Sequence, residues 1–297
     1  MRGDRYATRT LAGAVLLAMG VGHARAQRAT TAEPLLRSHA LHRGAPVKMF
    51  VPSGTVRLVG WDRESIEIRG RLGRAAQMSL TGSDSGGVKL VVEEPAGATT
   101  SASRLDIYMP RQSQLSLKTV DASVDATDIG GWYYTVSGSL RIGGSMSTVE
   151  AESMSGDIAL AATTAWARVR TGAGRLLVSG APEDVDASTV GGALDIATSA
   201  ILRGRFASVT GDIRYASSFA PRSLFEFSDH SGAVEFLLPR DVSARFELSS
   251  VMGAIDNGFM QPRPAASGVR SLSLTLGAGN ANVVVRTFRG TVRLRSS

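Results

Sequence analysis

Three residue types used in nucleophilic catalysis stand side by side at Asp229-His230-Ser231. A catalytic triad assembles from separated positions, and neighbouring residues on a strand point to opposite faces. The tripeptide therefore reads as a turn. Two carboxylates, Asp157 and Asp212, occupy the same place in a recurring phrase, Ser155-Gly156-Asp157-Ile158 and Thr210-Gly211-Asp212-Ile213. Stacked on one face, such carboxylates would suit calcium, or acid–base chemistry on a sugar polymer. Arg175, Ala193, Ala233 and Ala254 fill the equivalent positions, so the acidic line is interrupted and Asx-type turn bonding is expected instead. Trp132, Tyr133, Tyr134 and Trp166 offer a sugar-stacking platform or, as expected here, packing between two regions of the chain. His39 and His42 have no third metal ligand near them in sequence and are expected in solvent. The chain has no cysteine, which excludes disulfides, a thiol nucleophile, thiolate metal sites and lipid attachment at an N-terminal cysteine. The glycines precede neither a helical pattern nor a Lys-Ser/Thr pair, so no phosphate-cradling loop is present. No catalytic, cofactor-binding or metal-binding residue is assigned.

The elements that carry these residues come from one repeated phrase. A glycine is followed by a small or polar residue, a branched apolar residue, a free position and another apolar residue. Copies begin at Gly138, Gly156, Gly174, Gly192, Gly211 and Gly232, and a variant begins at Gly253. A period near 20 residues is too short for one unit to bury its own apolar face, and marks stacked-coil architectures. Apolar residues two apart have strand periodicity. Ile158 and Leu160 are therefore expected inside, with Asp157 and Ala159 outside. Stacking places Leu140, Ile158, Leu176, Leu194, Ile213, Val234 and Ile255 in one interior column. Ile142, Leu160, Val178, Ile196, Tyr215 and Phe236 form a second. The glycine is expected to turn a corner at φ values that a Cβ penalises. Ser153, Thr171, Thr189, Ser208 and Ser250, three residues before it, place a hydroxyl where it can bond local backbone or stack on its neighbours.

Residues 1–26 read as a secretory signal peptide. Arg2, Arg5 and Arg9 precede a short apolar run from Leu11 to Val21, and Ala24-Arg25-Ala26 is a small-x-small cleavage site. The run is too short for a membrane span, and no later stretch approaches one. This segment carries four Arg and one Asp, so about +4 of the formal +7 charge remains on the exported chain. That balance fits a solvated surface, with anionic envelope polymers or lipid headgroups as a sharper alternative. No nucleic-acid-binding signature is present. Residues 27–46 read as a linker, 47–118 as an N-terminal β region of antiparallel character that caps the stack, and 119–297 as the repeat region.

The N-terminal region carries a resemblance. Val51-Pro52-Ser53-Gly54-Thr55-Val56-Arg57-Leu58, then Gly60-Trp61-Asp62 and Ile66-Glu67-Ile68, is similar to the opening of the DUF4097 family. Leu105 to Pro110 resembles the family's strand ending in proline. Its Ser-Gly-Asp-Ile repeats match at Ser155 to Ile158 and, with Thr at the first position, at Thr210 to Ile213. The close resembles Gly277 to Val283 followed by Arg286 to Leu294. The resemblance covers roughly residues 47–297. It implies an exported "putative adhesin" with an all-β, right-handed β-helix or β-solenoid-like fold, and it brings no catalytic residues. The sequence departs from the pattern after Gly253, where Asn257 interrupts the second column and the spacing becomes irregular, so distorted coils or a hairpin-like cap are expected there.

The sequence thus reads as a non-catalytic cell-envelope protein, periplasmic or at the surface, binding protein or polysaccharide components. An envelope-stress or regulatory sensor and a polysaccharide lyase or hydrolase on a β-helix are the alternatives.

Overall fold

The computed structural model describes residues 34–94, 102–259 and 270–297. The signal peptide expected at 1–26 lies outside them, as does most of the loop between Glu93 and Ser103. Ala32–Ser297 forms one unit. The described residues contain strands and turns but no helix.

The fold is a β-solenoid-like stack of coils. Each coil has a strand on one ladder, a tight corner, a strand on a second ladder and a return segment. Parallel registers tie like positions to like positions: Leu140 pairs with Ile158, Leu176 with Ile158 and Leu194, and Ile213 with Leu194 and Val234. Every residue of that column is buried, as are Ile142, Leu160, Val178, Ile196, Tyr215 and Phe236. Strand alternation has thus sorted the chain into an apolar interior and a polar exterior. In the C-terminal coils Phe206, Phe225, Phe227, Phe236 and Phe246 replace aliphatic residues around Tyr215, with ring centroids such as Phe227–Phe236 4.9 Å apart.

The order of the coils in space departs from their order in sequence at both ends. Ala281–Thr287 pairs with Leu224–Asp229 on one side and Ala244–Ser250 on the other. Val292–Ser296 likewise lies between Val234–Leu238 and Ile255–Asn257. The last coil of the chain is therefore inserted beneath the preceding one. Val292, not Ile255, sits on Val234, and Ile255 follows Val292. The irregular spacing after Gly253 thus reflects an inserted coil, beyond which an antiparallel strand covers the end. At the other end Pro46–Val51 pairs with both Gly87–Glu93 and Gln114–Thr119. Thr55–Trp61 pairs with both Arg104–Pro110 and Ser123–Thr127. The first full coil is thus also the second in space.

Antiparallel pairing in the N-terminal region is confined to its outermost strands. Gln77–Ser83 runs against Gly87–Glu93, Ser65–Arg71 against Arg104–Pro110, and Leu35–Ala40 against Ser65–Arg71. The inner strands between 46 and 119 are parallel, and their ladders continue past residues 118 and 119 into the repeats. The expected linker at 27–46 is corrected by Leu35–Ala40, a strand. Only its outermost and next-to-last residues are partly covered, so it shows no apolar alternation by which sequence could reveal it. At the opposite end Ser271–Leu276 covers Ala244–Ser250 antiparallel. These outer strands shield the edges that an open stack would expose.

Candidate functional site

The corner glycines turn without special dihedral angles. None of Gly138, Gly156, Gly174, Gly192, Gly211, Gly232, Gly253 or Gly290 has positive φ. A Cβ would instead strike the carbonyl oxygen of the adjacent coil: for Gly174 the Gly156 oxygen at 2.1 Å, for Gly192 the Gly174 oxygen at 1.8 Å. Close stacking, and not the expected left-handed geometry, excludes a side chain. The column also records the inserted coil, since Gly290 would meet the Gly232 oxygen and Gly253 the Gly290 oxygen.

The hydroxyls three residues earlier are buried and bond the corner. The Gly156 amide donates to Ser153 Oγ at 2.7 Å and the Gly174 amide to Thr171 Oγ1 at 3.1 Å. Thr171 Oγ1 donates to the Gly156 oxygen one coil away at 3.2 Å. Asp229 occupies this column between Ser208 and Thr287. Its carboxyl is buried, and neither oxygen completes a hydrogen bond of ordinary geometry. Burial pushes its pKa up to about 6, with Asp212 adding to the rise and the Gly232 amide and Ser208 hydroxyl offsetting part of it.

The sequence candidates are not brought together. His230 and Ser231 sit exposed on the corner beyond buried Asp229. The His230 ring stacks on Phe288 at 4.9 Å, and Ser231 Oγ donates to the Val209 oxygen at 3.1 Å. Asp157 Oδ1 accepts the Arg175 amide at 2.8 Å, and Asp212 Oδ1 accepts the Ala233 amide at 2.8 Å. These carboxylates tie one coil to the next, which corrects the expected bonding within their own turns. His42 is exposed, 3.6 Å from Asp84, whereas the Nε2 of half-buried His39 is enclosed without a partner. Among the described residues no three His, Cys, Asp or Glu side chains gather as a metal site.

The aromatic run divides. Tyr133 is buried and donates to the Ile129 oxygen at 2.6 Å, and burial raises its pKa. Trp132 and Tyr134 lie on the outer surface with ring centroids 5.8 Å apart. Only Tyr133 follows the expectation of core packing. Trp166 also lies outside, its ring 5.2 Å from the Arg168 guanidinium, at a groove of about 460 Å³ lined with charged residues.

That outer face carries a charge ladder that pairwise reading of the sequence missed. Glu150, Arg168, Asp186, Arg205 and Glu226 lie in register on successive strands. Arg168 reaches Glu150 at 3.6 Å and Asp186 at 3.7 Å, and Arg205 reaches Glu226 at 3.7 Å. Opposite charges directly across a ladder favour this register over a slipped one. The signal was available in the repeat spacing, because an 18-residue step carries Glu150 onto Arg168 and Arg168 onto Asp186.

A protein of known structure shares this architecture. A "putative adhesin" from Parabacteroides merdae is 9% identical, with a TM-score of 0.53 over 88% of this chain and 96% of that one. A "putative adhesin" from Bacteroides fragilis is 11% identical, with a TM-score of 0.44 over 88% and 97%. No protein-family model matches the chain, and no curated protein does. The class defined is an all-β stacked-coil protein with the fold of the Parabacteroides protein.

Proposed function

We propose that the chain is a non-catalytic exported protein of the cell envelope, of the DUF4097 type, whose solenoid faces bind surface components as an adhesin does. The observation that carries this reading is how the chain uses its reactive side chains. Asp157 and Asp212 are tied to the amides of the next coil, and the outer charges from Glu150 to Glu226 answer one another. The polar chemistry of the repeats thus holds a rigid scaffold together. Rigidity suits a long surface for recognition, because a preorganised partner loses little entropy on binding. The signal-peptide pattern of residues 1–26 and the fold of the Parabacteroides protein support the same reading.

Protease shaving of intact cells tests it. The protein is expected to be processed near Ala26 and to be cleaved by added protease before the cells are lysed. A protein that keeps residues 1–26, or that is untouched until lysis, would overturn the surface-binding role.

A further inference from the structure

Of the 33 basic side chains, 30 are arginine and only three are lysine: Lys48, Lys89 and Lys118. Lys48 and Lys118 are 70 residues apart in sequence, with Lys89 between them, yet the fold gathers all three on neighbouring strands. Lys48 is directly opposite Lys89, and Lys118 is directly opposite Phe50, two residues along from Lys48. All three are exposed, and Phe50 is 39% exposed among them.

Two rows cross this part of the sheet. One runs Lys89, Lys48, Ser116, Trp132, and the other Val91, Phe50, Lys118, Tyr134. Lys118 Nζ lies 5.3 Å from the Trp132 ring, whose other neighbour is Tyr134. Among the described residues none of the three lysines forms an ion pair. Along this face Glu93 stands four residues, roughly 13 Å, from Lys89, and Glu150 and Glu152 lie across the ladder from Trp132 and Tyr134.

From Glu150 to Glu226 each charge in the row has an opposite charge across the ladder. At Lys89 and Lys48 two like charges face each other, an arrangement that destabilises a sheet. Against that balanced row, the positive charge here is unanswered, beside aromatic rings and over a shallow hollow of about 180 Å³. Flexible ammonium groups suit carboxylates spaced along a polymer better than one fixed, bidentate anion. The electron-rich faces of Phe50, Trp132 and Tyr134 suit the C–H face of a sugar ring. Four strands span roughly 14 Å, enough for a short run of rings.

We propose that Lys48, Lys89 and Lys118, with Phe50, Trp132 and Tyr134, bind an acidic polysaccharide bearing carboxylates on successive or alternate sugars. This names a ligand class for the surface-binding role proposed above and rests on that reading.

Because the chain has no other lysine, amine acylation read by mass spectrometry reports on this patch alone, apart from the N-terminal amine. Polygalacturonate is expected to slow acylation of all three lysines at least fivefold, and neutral dextran to leave it unchanged. Lys48→Glu with Lys89→Glu should weaken polygalacturonate binding at least tenfold, and the paired Lys→Arg variant should retain it. Trp132→Ala should weaken it several-fold with no change in melting temperature. Unaltered acylation with polygalacturonate overturns the site. Equal protection by poly-glutamate or by anionic phosphatidylglycerol vesicles overturns the polysaccharide. Retention on cell-surface preparations separates the two proposals: a triple Lys→Glu variant retained like the wild type overturns this site alone, whereas an unretained wild type overturns the broader role.

Discussion

Asp229 stands where other coils place a hydroxyl, and the difference is one of proton supply. Thr171 both accepts an amide and donates to a carbonyl. A carboxylate can only accept, so Asp229 fits the column best when protonated. Its folded pKa, about 6, lies above the ordinary carboxylate value of about 3.9. The protonated form therefore contributes stability that is complete below about pH 4 and is lost as pH rises through about 6. Asp229→Thr should raise stability by on the order of 1–3 kcal/mol at pH 7.5 and by much less at pH 4. Urea unfolding of both proteins at the two pH values measures the difference. Asp128 has the opposite sign: the Ser145 amide, with Arg111, holds its pKa below the usual range, so its contribution is lost as pH falls through the depressed value. The comparison of variant with wild type isolates Asp229 from such groups.

At the scale of the strand and corner, inward and outward positions carry different loads. Ile158 is buried between Leu140 and Leu176, whereas Asp157 faces out and accepts one amide. Ile158→Asp should cost at least ~3 kcal/mol, because it buries a charge with no partner. Asp157→Ala should cost about 1 kcal/mol, the worth of one hydrogen bond. Equal shifts in thermal denaturation would contradict the sidedness of this strand. The corners give a sharper comparison. Gly192→Ala drives a methyl into the Gly174 carbonyl and should cost about 2–4 kcal/mol. Gly191→Ala, one residue earlier, meets nothing nearer than 3.6 Å and should change stability by less than ~0.5 kcal/mol. Chemical denaturation of the two variants decides whether coil spacing or backbone freedom selects glycine.

Across the whole molecule the notable feature is that neither spatial end is a chain end of the coil stack. The strands within 46–61 lie beneath those at 87–93 and 104–110, and the strands within 281–296 beneath those at 244–250 and 255–257. A solenoid whose coils follow sequence order can fray from its last coil. Here the last coil is held on both sides. Deleting residues 280–297 should therefore remove an interior layer, uncovering Phe227 and Phe236 and leaving Phe246 without its support. The expected result is strong binding of a hydrophobic dye and loss of the cooperative thermal transition. A truncated chain that melts like the wild type would contradict the inserted-coil order. The same topology joins distant parts of the sequence, which slows folding, because loop closure precedes the contacts that repay it.

Much of the repeat region was legible because its information is local. Apolar residues two apart set which side of a strand faces in, and a near-constant step sets which coil lies over which between Leu140 and Val234. The strand Leu35–Ala40 was not legible, because it lies at an edge with little of its surface covered. The amino-acid sequence by itself determined an all-β stack, its interior columns and its hydroxyl–glycine corners, all of which repeat at short range. Only the tertiary structure decided that Val292 comes between Val234 and Ile255, that the corner glycines answer to carbonyl oxygens one coil away, and that the three lysines share a surface. Those facts depend on pairing between strands far apart along the chain, and no period within the sequence encodes which distant strand will be the neighbour.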